Sequence, residues 1–186
     1  AAGSGRRLGG EIPKQYREIA GAPLMEHTLQ ALLLSSDIRG VMVALDPSDR
    51  RADTIASLSD ARVETTPGGA ERADSVLAGL DALQDRASEE DWVLVHDAAR
   101  PCLDLDSLAA LIARARELGE GVILAGPVAD TLKQVSTGGR VTNTLERGGV
   151  WRAQTPQLFP LARLREALVR CLAQGVQITD EAMAME

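Results

Sequence analysis

The opening of the chain combines glycines with cations in a pattern that suits phosphate binding. The letters GSGRR at positions 3–7 are followed by PKQ at positions 13–15. Glycines let backbone N–H groups approach a phosphate closely, and Arg7 and Lys14 add positive charge beside them. The segment is neither a Walker loop, since no Gly-Lys-Ser/Thr ends it, nor a dinucleotide fingerprint, since Leu8 stands at the third glycine position. It predicts a phosphate-bearing ligand held by Arg7 and Lys14.

A second polar group follows the clearest apolar run of the chain. The letters HDAARP at positions 96–101 come directly after WVLV at 92–95. Ligands of open α/β sheets bind at the carboxyl ends of strands, where Asp97 could hold a ribose hydroxyl or the hydration shell of a magnesium ion. Arg100 could meet a phosphate. A helix-cap or turn role for Asp97 remains open.

A third candidate is the glycine turn GGAERADS at positions 68–75. It brings polar residues to the start of a predicted helix, where free backbone N–H groups could meet a ligand. An ordinary glycine turn before a capped helix is an equally good interpretation of this segment alone.

The elements that would position these groups alternate between short apolar runs and helical periodicity. Strands are predicted at 41–45, 62–65, 92–96 and 122–125, and helices at 24–34, 48–58, 71–83, 105–118, 161–172 and 179–185. Asp104 and Thr179 are the expected N-caps of two of the helices. This alternation indicates an α/β fold with a mainly parallel sheet covered by helices.

The alternation breaks between positions 131 and 154, where β-like stretches surround a Gly138-Gly139 turn. We expect this segment to project as a β-arm from a single domain spanning 1–186. We also expect a strand to be missing before Ala1, because a glycine loop of this kind usually follows a buried strand.

Composition excludes several classes of function. The net charge is −7 without a basic run, which argues against binding to nucleic acid or anionic membranes. The two cysteines are far apart and lack metal-ligand spacing, so neither a disulfide framework nor a zinc site is expected. No membrane-length apolar run or signal-peptide pattern is present, and we expect a cytoplasmic protein.

Six segments together resemble the 2-C-methyl-D-erythritol 4-phosphate cytidylyltransferase family: AAGSGRRLGGEIPKQY, GGAERADSVLAGL, VLVHDAARPC, DTLK, RAQTPQLF and TDEA. The resemblance implies a Rossmann-like, three-layer α-β-α nucleotidyltransferase fold. It also implies CMP transfer from CTP to methylerythritol phosphate in isoprenoid precursor biosynthesis, with Mg²⁺ bound mainly through the CTP phosphates. A ribitol-5-phosphate cytidylyltransferase shares most of these motifs and remains an alternative. So does an inactive nucleotide-binding fragment, because a C-terminal segment carrying an Asp and a Lys of the family's site is expected to be missing.

The resemblance also implies roles for individual residues on the nucleotide side. Arg7 and Lys14 would contact the triphosphate as the catalytic cations. The remaining nucleotide contacts would come from Ala1, Ala2, Gly3, Gly69, Ala70, Ser75, Asp97 and Ala98.

On the side of the second substrate, the resemblance implies contacts from Arg100 and Thr179, and from Thr131 and Arg147 on the arm. In this family the arm exchanges between two subunits, so Thr131 and Arg147 would reach the partner's site. A homodimer through the β-arm is therefore expected.

Overall fold

The computed structural model describes residues 12–88 and 90–186. Four of the predicted nucleotide contacts, Ala1, Ala2, Gly3 and Arg7, lie outside the described residues.

Strands and helices alternate through most of the described chain, as the sequence predicts. The strands are β1 Glu18–Ile19, β2 Ala22–Pro23, β3 Val41–Leu45, β4 Val63–Pro67, β5 Trp92–Val95, β6 Val122–Pro127, β7 Leu132–Val135, β8 Val141–Leu145 and β9 Trp151–Pro160. The helices are α1 Leu24–Leu33, α2 Arg72–Leu83, α3 Leu105–Leu118, α4 Leu161–Ala173 and α5 Glu181–Met185.

Two sheets carry the core of the fold. Strands β3 and β4 pair in parallel, from Val41 opposite Val63 to Leu45 opposite Pro67. Strand β9 lies between β5 and β6 and is antiparallel to both. Strands β5 and β6 therefore run in the same direction, and β9 is an antiparallel insertion that the sequence pattern did not predict.

Helices cover both faces of the β5-β9-β6 sheet, which confirms the three-layer architecture. On one face, Leu108, Leu111 and Ile112 of α3 pack against Leu158 of β9. On the other face, α2, α4 and α5 form a cluster around Phe159, the next residue of β9. Consecutive strand residues point to opposite faces of a sheet, so β9 contributes to both halves of the core.

The segment predicted as a helix at 48–58 is not an α-helix. It forms two short 3-10 turns, Arg50–Thr54 and Ala56–Ser59, separated by Ile55 in an extended conformation. The Ile55 side chain is only 3% exposed and packs beneath β3. The extended backbone at Ile55 ends the first turn and coincides with burial of its side chain.

The last helix begins one residue later than its predicted cap implies. Asp180, not Thr179, is the N-cap of α5, and its carboxylate accepts a hydrogen bond from Met183 N. The predicted cap of α3 is confirmed, since Asp104 accepts from Ser107 N at 2.8 Å.

Strands β7 and β8 form an antiparallel hairpin in the segment that the sequence marks as irregular. Within the described residues the hairpin has no other strand partner. Val135, Val141 and Leu145 are more than 40% exposed on it. No helix in the described part of the chain has the length and apolar character needed to cross a lipid bilayer.

Candidate active site

One cavity of about 1770 Å³ gathers most of the described candidate residues. It runs along β3 and β5 and includes the loops that follow β4 and β5, where ligands of α/β sheets are expected. The predicted site residues that line it are Lys14, Gly69, Ala70, Ser75, Asp97, Ala98 and Arg100.

Lys14 begins a short 3-10 turn, Lys14–Tyr16, whose last residue is buried. Tyr16 is only 7% exposed and packs against Met25 and Leu29 of α1. Burial, reinforced by the charge and hydrogen bonding of Asp49, raises the pKa of Tyr16 to about 12. The neutral phenol therefore anchors the turn that presents Lys14 to the cavity.

The glycine turn between β4 and α2 is closed by its own side chains. Gly69 N donates to Ser75 Oγ at 3.1 Å, and Ser75 Oγ donates to the carbonyl of Glu71 at 3.1 Å. Glu71 and Asp74 form a reciprocal capping box at the start of α2. The buried Ser75 hydroxyl thus shapes the turn, while Gly69 and Ala70 remain exposed at the cavity.

Gly69 is required here by close packing. A Cβ atom at this position would lie 2.3 Å from Asp74 Cβ, far inside van der Waals contact. The backbone of the turn can approach α2, and any ligand on its other side, only while position 69 lacks a side chain.

A chain of hydrogen bonds fixes the loop that follows β5. Asp97 N donates to Thr155 Oγ1 at 3.3 Å, and Thr155 Oγ1 lies 2.9 Å from His96 Nδ1. His96 Nε2 lies 3.0 Å from the carbonyl of Arg100, which can only accept, so Nε2 carries the proton. Burial lowers the pKa of His96, and the neutral ring accepts from the Thr155 hydroxyl. His96 is thus a structural clamp on this loop.

Helix α1 also contacts the loop that follows β5. The hydroxyl of Thr28, a residue that is 2% exposed, can donate to either of two carbonyls, that of Leu24 at 2.9 Å or that of Ala98 at 3.0 Å. Helix α1 therefore contacts the backbone of this loop at Ala98, while Thr155 contacts it at Asp97.

Four charged side chains meet beside this loop. Asp97 accepts from Arg100 Nε at 2.9 Å and from Arg72 Nη2 at 3.3 Å. Arg72 also donates to both carboxylate oxygens of Glu181, at 2.5 and 2.8 Å. Burial alone would lower the pKa of Arg72, but Glu181 and Asp97 raise it, and the guanidinium stays charged. No partner within the described residues accepts from the Nη groups of Arg100.

Three predicted substrate contacts lie away from the cavity lining. Thr131 and Arg147 flank the β7–β8 hairpin and are exposed, and an Arg147 Nη1 group donates to the carbonyl of Ala129. Thr179 lies just before α5, where its hydroxyl contacts Met183 Sδ at 3.4 Å. Among the described residues, these three are not part of the cavity lining that includes Lys14.

Arg72 and Glu181 were not predicted as site residues. A cation in the first turn of a helix faces the positive end of the helix dipole, which is unfavourable without a partner. The position of Arg72 in the first turn of α2 therefore indicates that it needs an acidic partner, although no local pattern identifies Glu181 as that partner.

No three His, Cys, Asp or Glu side chains form a metal-binding cluster in ranges 12–88 and 90–186. Cys102 and Cys171 are unpaired among the described residues.

The layered α/β fold, with its cation-bearing cavity, is that of a nucleotidyltransferase. The chain belongs to the 2-C-methyl-D-erythritol 4-phosphate cytidylyltransferase (IspD) family, whose model matches residues 1–186. The cytidylyltransferase of that name from Ectopseudomonas mendocina is 50% identical to the chain, over all of it and 80% of the relative. The one from Pseudoalteromonas atlantica is 48% identical, over all of the chain and 79% of the relative.

Solved structures agree with this assignment. The crystal structure of 2-C-methyl-D-erythritol 4-phosphate cytidylyltransferase from Francisella tularensis matches with a TM-score of 0.83 and 34% identity. The match covers all of this chain and 82% of that one.

Proposed function

We propose that the chain transfers CMP from CTP to 2-C-methyl-D-erythritol 4-phosphate and releases pyrophosphate, a step of isoprenoid precursor biosynthesis. The observation that carries the proposal is the convergence of Lys14, the Gly69–Ala70 turn and the Asp97–Arg100 loop on one cavity, in a chain of this family. These are a cation, exposed backbone groups and a fixed carboxylate–guanidinium pair. Together they suit a triphosphate, a base and a second phosphorylated substrate.

In the proposed reaction, a phosphate oxygen of the sugar phosphate attacks the α-phosphorus of CTP. A new P–O bond forms as the bond between the α-phosphorus and the bridging oxygen breaks, and that oxygen leaves with pyrophosphate. The attacking group is already an anion, so no protein nucleophile is needed. The protein aligns two negative reactants and neutralises charge that builds on the phosphates. Lys14 and Arg7 are the proposed cations for this task.

The nucleotide would lie with its base against the Gly69–Ala70 turn and its ribose near Asp97 and Ala98. The exposed backbone of the turn supports this placement, because fixed N–H and C=O groups can distinguish the edges of bases. Ala1, Ala2 and Gly3 are the proposed partners on the other side of the nucleotide, and Ser75 maintains the turn.

Magnesium is the proposed cofactor, and it would be held mainly by the CTP phosphates. Mg²⁺ typically keeps several waters and takes one or two carboxylates together with phosphate oxygens. The carboxylate of Asp46 lines the cavity and could contact such an ion or one of its waters, whereas both oxygens of Asp97 are engaged by Arg72 and Arg100. When bound, it would neutralise phosphate charge and help to align the triphosphate.

Arg100 and Thr179 are the proposed contacts of the sugar phosphate within one chain, and Thr131 and Arg147 those from a partner. The exposed position of the hairpin, away from its own cavity, supports a homodimer in which each hairpin reaches the other subunit. We place this dimer in the cytoplasm, where both phosphorylated substrates would be available.

The test is product analysis with CTP and Mg²⁺, offering methylerythritol phosphate and ribitol 5-phosphate separately. We expect a CDP-linked product and pyrophosphate with methylerythritol phosphate, and replacement of CTP by ATP or GTP should abolish it. Faster turnover of ribitol 5-phosphate would reject the proposed substrate. Thermal stabilisation by CTP without any product would reject the transferase proposal itself.

A further inference from the structure

Arg72 joins two acidic side chains from distant parts of the chain. Its Nη1 and Nη2 groups donate to the two oxygens of Glu181, in the two-pronged geometry typical of a strong arginine–carboxylate pair. Its Nε and Nη2 groups also donate to Asp97 Oδ1, at 3.4 and 3.3 Å. One guanidinium therefore holds the carboxylates of Glu181 and Asp97 in a fixed relative position.

Glu181 provides a rigid base for this guanidinium. Its side chain is 0% exposed, and it begins helix α5. Gln157 of β9, itself 1% exposed, donates to Asp180 Oδ2 and accepts from Ala182 N, both at 2.9 Å. The residues on either side of Glu181 are thereby tied to the central strand of the sheet, so Arg72 is held at the cavity by an immobile partner.

The two oxygens of Asp97 are divided between two arginines. Oδ1 faces Arg72, while Oδ2 accepts from Arg100 Nε at 2.9 Å. A carboxylate held by one oxygen in this way cannot turn to form the two-pronged pair with Arg100. Arg100, whose side chain is 49% exposed, thus keeps its Nη groups unbonded among the residues that the structure describes, and we assign them to a ligand.

We propose that Arg72 is a positioning residue: anchored by Glu181, it orients Asp97 so that Arg100 binds the phosphate of the sugar-phosphate substrate. The inference rests on the function proposed above and adds a residue to it. Without Arg72, Asp97 would rotate and accept hydrogen bonds from both Nε and an Nη group of Arg100. That Nη group would then no longer be available to the substrate phosphate.

The test uses the paired substitution Arg72→Met with Glu181→Met. Removal of Arg72 alone would leave a buried carboxylate without a partner, whereas removal of both charges avoids that penalty. The control is Arg114→Met with Glu117→Met, which removes an exposed arginine–glutamate pair on α3, away from the cavity. Arg72→Lys is a second test variant, since lysine keeps the charge beside Glu181 but lacks the planar fork.

In the paired variant we expect the KM for methylerythritol phosphate to rise about tenfold or more, because a charge-assisted contact is lost. The KM for CTP should rise by a clearly smaller factor: the proposed ribose contact of Asp97 is disturbed, but the glycine turn that meets the base keeps its own bonds. Arg72→Lys should show the same selectivity with a smaller rise, and the control should match the wild type. A merely structural role would instead lower kcat or raise both KM values by similar factors, and either outcome overturns the proposal.

A double-mutant cycle identifies the route of the effect. If Arg72 acts through Asp97, the paired variant should have little further effect in an Asp97→Ala background. A full additive loss there overturns the proposal. Calorimetric titration of methylerythritol phosphate into the same variants reports its affinity without turnover. An inactive wild type would therefore count against the proposed function, while the affinity ratio would still decide the role of Arg72.

Discussion

Single side chains at the cavity are placed by neighbours that are themselves fixed. Lys14 stands on a turn whose third residue, Tyr16, is buried against α1, and it forms no ion pair with any described residue. Its charge is therefore available to a ligand.

We expect Lys14→Ala to lower turnover by at least ~10²-fold, because a cation that stabilises developing phosphate charge contributes several kcal/mol in the transition state. The melting temperature should stay within a few degrees, because a surface lysine contributes little to folding. Arg163→Ala removes an exposed cation from α4 and serves as the control. Normal turnover of the Lys14 variant, measured as pyrophosphate release, would contradict the assigned role.

Tyr16 predicts a specific response to alkaline pH. Its pKa is about 12 in the folded state, against about 10 in an unfolded chain. The folded-state value is the higher, so its stabilising contribution is complete below pH 10 and is lost as pH rises towards 12. Tyr16→Phe should make the loss of unfolding free energy between these pH values shallower.

The chain contains one tyrosine, so tyrosinate absorbance reports Tyr16 alone. In the folded protein we expect the absorbance to rise well above pH 10, and in denaturant near pH 10. Equal midpoints in both states would show that Tyr16 is not buried beside Asp49.

The candidate residues near a glycine turn or a strand end could be predicted because each has a local signature. Gly69 belongs to a glycine turn, Asp97 and Arg100 follow an apolar run, and the structure places all three at one cavity. The Arg72–Glu181 pair could not be predicted in this way, because its members lie 109 positions apart. Their contact depends on how α5 docks against β9, and no local pattern encodes that docking.

At the scale of elements, one glycine in the turn between β4 and α2 can be compared with one inside α2 itself. A Cβ at Gly69 would lie 2.3 Å from Asp74 Cβ, whereas a Cβ at Gly79, inside α2, would meet Met42 Cγ at 3.9 Å. We expect Gly69→Ala to destabilise the protein by about 1–3 kcal/mol, because the turn must open. Gly79→Ala should be stabilising by about 0.5–1 kcal/mol, because alanine favours the helix.

Denaturant unfolding of both variants tests this contrast. The Gly69 variant should also show a raised KM for CTP, while the Gly79 variant should not. A Gly69 variant as stable as the wild type would mean that the turn has room for a side chain, and that its close packing against α2 does not determine its shape.

Elements with a regular period were predicted well, and those governed by long-range pairing were not. Helix α3 and strand β3 have their predicted bounds, because amphipathic spacing and a short apolar run are local signals. Residues 155–160 of β9 were missed, since they form a buried strand only between β5 and β6. The predicted helix at 48–58 was wrong as well: the segment is divided at Ile55, whose buried contact beneath β3 is not visible in the local pattern.

For the molecule as a whole, the β7–β8 hairpin stands out because, among the described residues, it pairs with no other strand and exposes apolar side chains. Val135, Val141 and Trp151 are 55%, 57% and 59% exposed along it and at its base. An isolated two-stranded hairpin is only marginally stable in water. A second copy would cover these side chains, and a two-fold dimer is the commonest closed arrangement.

The shared site predicts a specific result when two defective chains are mixed. Arg147 would serve the partner's site, while Lys14 serves its own, so Arg147→Ala and Lys14→Ala should each be inactive as homodimers. In a mixed dimer, the site on the Arg147→Ala chain keeps its own Lys14. It receives an intact Arg147 from the Lys14→Ala chain, so this site is complete. The other site carries both defects. Activity should therefore recover towards half of the wild-type value per mixed dimer, measured as product formed after subunit exchange is confirmed by mass spectrometry. A monomer in light scattering, or an exchanged mixture as inactive as its parents, would show that each site is complete within one chain.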